Sequence, residues 1–150
     1  NVPVTTRGGP PVELFQFTDH GATVAFLSDV LRELIRAEPL ASVALLTPGR
    51  DLSRLYYDGL DKGEVPRLRL VEDQEFTFAP GVEVTEVQTV KGLEFDYVIL
   101  VETSAQRYPD TASARRVLHV GATRAVHQLW LTSVGTLSPV VREAIAKLPD

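Results

Sequence analysis

Apolar residues recur along this chain in two rhythms, and the way the rhythms alternate predicts the architecture. Between Val12 and Phe17 apolar side chains stand at 12, 14, 15 and 17, which suits a strand. From His20 to Glu38 the period lengthens: Val24, Leu27, Leu31, Leu34 and Ile35 share one face of a helix, and Pro39 stops it. Ser42–Leu46 is an apolar run of strand length, followed by the punctuation of Pro48-Gly49 and a helix over Asp51–Leu60. Arg67–Val71 predicts another strand, and Glu72–Pro80 a polar loop pinned by Phe76 and Phe78. Val82–Val87 alternates as a half-buried strand does, whereas Tyr97–Val101 is apolar on both faces, as a central parallel strand is. Between them a glycine-containing turn is expected. A helix over Thr111–Ala125, a strand over His127–Thr132 and a last helix opened by Ser138-Pro139 and reaching Lys147 complete the series.

Strands alternating with helices predict an α/β domain: an open, mostly parallel sheet with helices on both faces and right-handed crossovers. Ligands of such folds bind beyond the carboxyl ends of strands, which directs attention to the loops after Leu46, Val87 and Val101.

Composition narrows the function classes without choosing among them. At 150 residues the chain fits one domain, and 44% hydrophobic with 23% charged residues is ordinary globular usage. The absence of cysteine excludes disulfides and thiolate metal sites, and a reducing cytoplasm is the simplest expectation. A formal net charge of −5 argues against wrapping a nucleic acid by bulk electrostatics, leaving only local contacts. No apolar stretch reaches the roughly 20 residues that span a bilayer, so no membrane partner is expected. Residues 1–11, rich in proline and glycine, read as a linker, and residues 12–150 as the domain, a fragment of a longer protein.

Two segments carry candidate chemistry. Gln88-Thr-Val-Lys-Gly-Leu-Glu-Phe-Asp96 gathers a glycine, a lysine and two carboxylates in a short connection. Gly92 lets backbone approach a ligand, Glu94 offers acceptors to a ribose hydroxyl, and Lys91 offers a cation to phosphate. Spacing alone favours a solvated turn here, with the ligand-facing loop as the alternative. Arg115-Arg-Val-Leu-His-Val-Gly-Ala-Thr-Arg-Ala125 reads as helical. Gly121 inside it costs about 1 kcal/mol relative to alanine, which some close packing must offset. Arg124 is suited to phosphoryl oxygens, although taken singly it reads as a surface ion pair.

Together the two segments resemble the fifth and sixth motifs of UvrD-like superfamily 1 DNA helicases, in the family's order and spacing. The flanking pattern extends a looser resemblance over most of Val12–Pro149, nearest the branch of helicase IV and the HelD-type proteins. The resemblance implies the second, C-terminal RecA-like domain, a three-layer fold with a mostly parallel sheet and helices on both faces. It further implies that Lys91, Gly92 and Glu94 face a nucleotide, Glu94 through the ribose. Arg124 would be the catalytic arginine finger at the γ-phosphate, Gln88 and Thr89 would touch single-stranded DNA, and Arg115 and Arg116 would be structural.

Departures from the family pattern matter as well. Aligning the fourth motif on Val43–Arg50 puts Thr47 and Pro48 where an aromatic and an arginine belong, with Arg50 as the nearby substitute. Glu86 and Gln88 replace the threonine and histidine that often precede the fifth motif's lysine. The chain has no G-x-x-x-x-G-K-[ST] loop and no strand ending in an acidic pair. ATP and Mg²⁺ are therefore implied only with a preceding N-terminal RecA-like domain that holds the metal, and the fragment alone is expected to be inactive. The alternative is an interaction module, for instance for RNA polymerase, with reduced ATPase. His20, His119 and His127 lack metal-ligand spacing, and Trp130 reads as core rather than a base platform.

Overall fold

The computed structural model describes residues 2–5, 11–72, 76, 79–90, 92–108 and 111–146. Its centre is a seven-stranded sheet: β1 (Val2–Thr5), β2 (Pro11–Phe17), β3 (Ser42–Thr47), β4 (Leu68–Leu70), β5 (Gly81–Glu86), β6 (Phe95–Leu100) and β7 (Ala125–Val134), in the order β1-β2-β7-β6-β3-β5-β4. All pairings from β2 to β4 are parallel. Only β1 runs antiparallel, with Val4 opposite Val12. The expected α/β class with a mostly parallel sheet is thus what the chain forms. Part of the segment read as linker is a strand instead, because an edge position tolerates Pro3, whose missing N–H would break a central ladder.

Strand parity sorts the core into two layers. Ala44, Leu46, Val98, Leu100, Leu129 and Leu131 face one side, with Ala122, Val140 and Val141 from the helices there. Val43, Leu45, Ile99, Val101 and Trp130 face the other, against Leu27, Leu31, Leu52, Tyr56 and Leu60. The first layer is covered by α3 (Ala112–Ala122) and α4 (Pro139–Ala146), the second by α1 (His20–Ala37) and α2 (Arg50–Lys62). Helix α1 opens where expected because the Asp19 carboxylate caps it, accepting from the Ala22 N–H at 2.7 Å. Ser138 caps α4 by accepting from the Val140 N–H at 3.1 Å; Lys147, its expected end, lies outside the described residues, as does Phe78. Phe76 does serve as an anchor, its ring 6.5 Å from that of Phe95.

Two boundaries differ from the expectation, and both bear on the site. The connection between β5 and β6 is not a tight turn. It opens with a 3-10 helix, Val87–Val90, and crosses one face of the sheet past β3, because its two strands are parallel and both neighbour β3 rather than each other. Helix α3 ends at Ala122, three residues before the periodicity suggested. There the Thr123 hydroxyl takes the His119 carbonyl at 2.9 Å, and the Phe95 N–H claims the Arg124 carbonyl at 2.9 Å, starting the β6–β7 ladder.

Candidate functional site

The crossover and the early end of α3 bring the two motif segments together. Glu94 immediately precedes β6 and Arg124 immediately precedes β7, and the Phe95–Arg124 hydrogen bond sets these two starts side by side. The site lies at the amino ends of these strands. The expectation of a loop beyond carboxyl ends therefore fails for Gly92, Glu94 and Arg124. The crossover leaves the carboxyl end of β5 and returns to the amino end of β6, so its second half stands at the opposite edge. Next to this point β6 and β7 fall out of register between Phe95 and Tyr97, a bulge of the kind that redirects side chains beside functional sites.

Three features of this edge leave groups available to a ligand. Arg124 is only partly exposed, and its buried Nε has no hydrogen-bond partner among the described residues. It is one of eight buried side-chain atoms without a hydrogen-bond partner among the described residues, and it is the one that stands beside Glu94. Glu94 is exposed and has no partner among the described residues. Gly92 has φ +85°, and a Cβ there would meet nothing within 4 Å, so the backbone is open to approach. Lys91 lies outside the described residues. Together these groups fit a nucleotide: a guanidinium for phosphoryl oxygens, a carboxylate for ribose hydroxyls, and unobstructed backbone between.

Helix α3 is held in place by the glycine that the sequence left unexplained. A Cβ on Gly121 would stand 2.5 Å from Val87 Cγ2 and 3.0 Å from Leu100 Cδ2, so α3 sits against the crossover and β6 closer than alanine permits. The packing that offsets glycine's helical cost is this one, and it positions Arg124 one turn later.

Gln88 and Thr89 sit at the far end of the same crossover. The Thr89 hydroxyl is 2.7 Å from that of Thr85 and donates to the Glu86 carbonyl at 2.8 Å, and the Gln88 amide donates to the Glu86 carboxylate. Thr47 and Arg50 are at this carboxyl edge too. The Thr47 hydroxyl bonds that of Ser53 at 2.7 Å, and Arg50 lies 3.7 Å from Glu72 and 3.9 Å from Glu86. The six-residue length of β6 puts roughly 20 Å between the two edges. Arg50 therefore stands at the opposite edge of the sheet from Arg124.

Sequence reasoning missed a buried polar cluster at the carboxyl end of β6. Glu102 is 4% exposed with φ 59°, a left-handed conformation that is strained for a side-chain-bearing residue. Its Oε2 lies 2.8 Å from His20 Nδ1 and accepts from the Tyr56 hydroxyl at 3.2 Å. Burial, and then the Glu102 charge, push both the Tyr56 and Tyr108 phenols well above their ordinary range. Its members come from α1, α2 and the end of β6, so no local pattern announces it. Trp130 is core, as expected, 9% exposed and 6.0 Å from the Tyr97 ring.

With this geometry in hand, comparison with known proteins identifies the relevant part of the chain. Residues 81–132 match the UvrD-like helicase C-terminal domain family. That span contains the crossover, β6, α3 and most of β7, hence every candidate residue at both ends of the crossover. The chain is similar to the C-terminal domain of a possible DNA helicase from Lactobacillus plantarum WCFS1, with 27% identity and a TM-score of 0.74 over 90% of this chain and 81% of that one. It also shares a fold with the UvsW helicase of bacteriophage T4, with 10% identity and a TM-score of 0.57 over 89% of this chain, and spans 52% of that chain. No curated protein matches the sequence. The fold is RecA-like, and the part of the chain that matches the family model is the part that carries the candidate residues. Among the described residues no helix is long and apolar enough to cross a membrane.

Proposed function

We propose that this chain is the C-terminal motor half of an ATP-dependent DNA helicase or translocase and supplies one wall of a divided ATP site. The observation that carries the reading is the pairing of Glu94 and Arg124 at the amino ends of adjacent strands, with Arg124 burying an unsatisfied Nε. Arg124 would bind phosphoryl oxygens and stabilise their charge during transfer, Lys91 would add a cation for phosphate, Glu94 would orient the ribose, and Gly92 would leave room for the nucleotide. The other wall, a phosphate-binding loop and the Mg²⁺ ligands, belongs to an N-terminal RecA-like domain. ATP with Mg²⁺ supplies the phosphoanhydride bond whose cleavage drives movement. The crossover gives this chain a way to relay closure: one end carries the nucleotide groups, and the other carries Gln88 and Thr89 as contacts for single-stranded DNA. The branch we favour is that of helicase IV and the HelD-type proteins, on the resemblance of the fifth- and sixth-motif residues.

The test is ATP turnover by the full-length protein carrying Arg124→Ala. Turnover falls on the order of 10³-fold or more while the folded state is retained. Near-normal turnover removes the assignment.

A further inference from the structure

Asp96, the second carboxylate of the crossover segment, has no part in the proposed ATP site, yet it stands where three strands begin. It exchanges hydrogen bonds with Ser42 at the start of β3. Its Oδ2 accepts from the Ser42 N–H at 3.0 Å, and its own N–H donates to the Ser42 Oγ at 3.0 Å. This reciprocal pair fixes the direction of the carboxylate. The other oxygen, Oδ1, is 3.6 Å from His127 Nε2 on β7, a contact longer than a hydrogen bond that becomes an ion pair when the imidazole is protonated.

That contact falls at the bulge. Phe95 pairs with Ala125 and Tyr97 with Gln128, so Val126 and His127 together stand opposite Asp96 alone, and the ladder is interrupted there. Burial does little to fix the two bulged residues, because Val126 is 51% exposed and the His127 side chain 59%. Past the bulge β7 is anchored, with Gln128 donating to the Glu13 carboxylate of β2 at 2.8 Å. Before the bulge comes Arg124, tied to β6 through its carbonyl. A bond at the carbonyl leaves the aim of the side chain to the twist of the bulge, and bulges are where strands re-aim side chains. The Tyr97 ring, 5.9 Å from that of His127 and donating its hydroxyl to Glu38 at 2.7 Å, also meets the imidazole.

We propose that Asp96 is a positioning residue of the ATP site: braced on β3 by Ser42, it sets the bulged start of β7 through His127 and thereby the aim of Arg124. Its contacts span the starts of β3, β6 and β7, the edge from which Glu94 and Arg124 arise. The inference rests on the ATP-site reading.

The experiment measures kcat for ATP, per folded molecule, in the full-length protein. Asp96→Ala lowers it about tenfold, less than the roughly 10²-fold that a misplacement of about 1 Å can cost. Asp96→Asn recovers most of the loss, because its carbonyl still accepts from the Ser42 N–H and its amide still reaches His127. His127→Ala, at an exposed position where folding is little affected, lowers kcat several-fold. On an Arg124→Ala background neither alanine substitution lowers turnover further, since a residue that acts only through Arg124 has nothing left to position. A general loss of structure would instead carry over to that background in full. Parent kcat in both Asp96→Ala and His127→Ala, an undiminished loss on the Arg124→Ala background, or no recovery in Asp96→Asn overturns the inference and leaves the ATP-site reading standing. Normal turnover by Arg124→Ala alone overturns that reading and this inference with it.

Discussion

At the amino ends of β6 and β7, Glu94 has no partner among the described residues and Arg124 buries an unpaired Nε, while Asp96 beside them is paired with Ser42 and His127; at the carboxyl ends of β3, β5 and β6 polar groups engage one another across elements, the buried Tyr108 hydroxyl excepted. The same strands bear both edges, so the contrast is not one of fold. Groups that pair within the chain stabilise it, and a buried donor left unpaired costs stability unless something outside supplies the acceptor. On the proposed function, Glu94 and Arg124 at the open edge are completed by a ligand and a second domain, and the network at the carboxyl edge is scaffold.

Substitutions can break this contrast. The largest effect is expected from Glu102→Ala, which leaves the buried Tyr56 hydroxyl without its acceptor and opens a void. Urea unfolding should show a loss of about 3 kcal/mol. Glu102→Gly should lose about 1 kcal/mol less, since glycine accepts φ 59° without strain. Gly121→Val follows, at about 2 kcal/mol, because its side chain must displace Val87 and Leu100. Because it shifts α3 against the crossover, it should also lower ATP turnover in the full-length protein. Thr89→Val should cost about 1 kcal/mol, the net worth of the bonds its hydroxyl makes to Thr85 and Glu86. A neutral result there would free that hydroxyl for DNA. At the open edge, Glu94→Ala should change stability by no more than about 0.5 kcal/mol, as surface changes away from packing do.

The contrast also explains what the sequence disclosed. Helix α1 was legible because Leu27, Leu31 and Ile35 repeat on one face, and β6 because apolar residues run through both of its faces. The Lys91–Glu94 and Arg124 segments stood out for their residue types and order. Their placement was not legible. Val82–Val87 and Tyr97–Val101 are close in sequence and read as strands joined by a turn, yet β3 lies between them, and strand order is a property of the whole sheet. Helical periodicity carried α3 on to Ala125 because it cannot register the Phe95 N–H that captures the Arg124 carbonyl. The carboxyl-edge network joins residues 46 positions apart in Tyr56 and Glu102 and 18 apart in Arg54 and Glu72, beyond the reach of any local spacing rule.

The central claim is that the amino edge faces the nucleotide, with Glu94 on its sugar. It is tested most directly by comparing ATP with 2′,3′-dideoxy-ATP as substrates for the full-length protein and for its Glu94→Ala variant. A hydrogen bond to a charged acceptor is worth about 1.5–3 kcal/mol, so deleting the ribose hydroxyls should raise KM by about 10- to 100-fold in the parent and hardly at all in the variant. An equal penalty in both proteins would contradict the account.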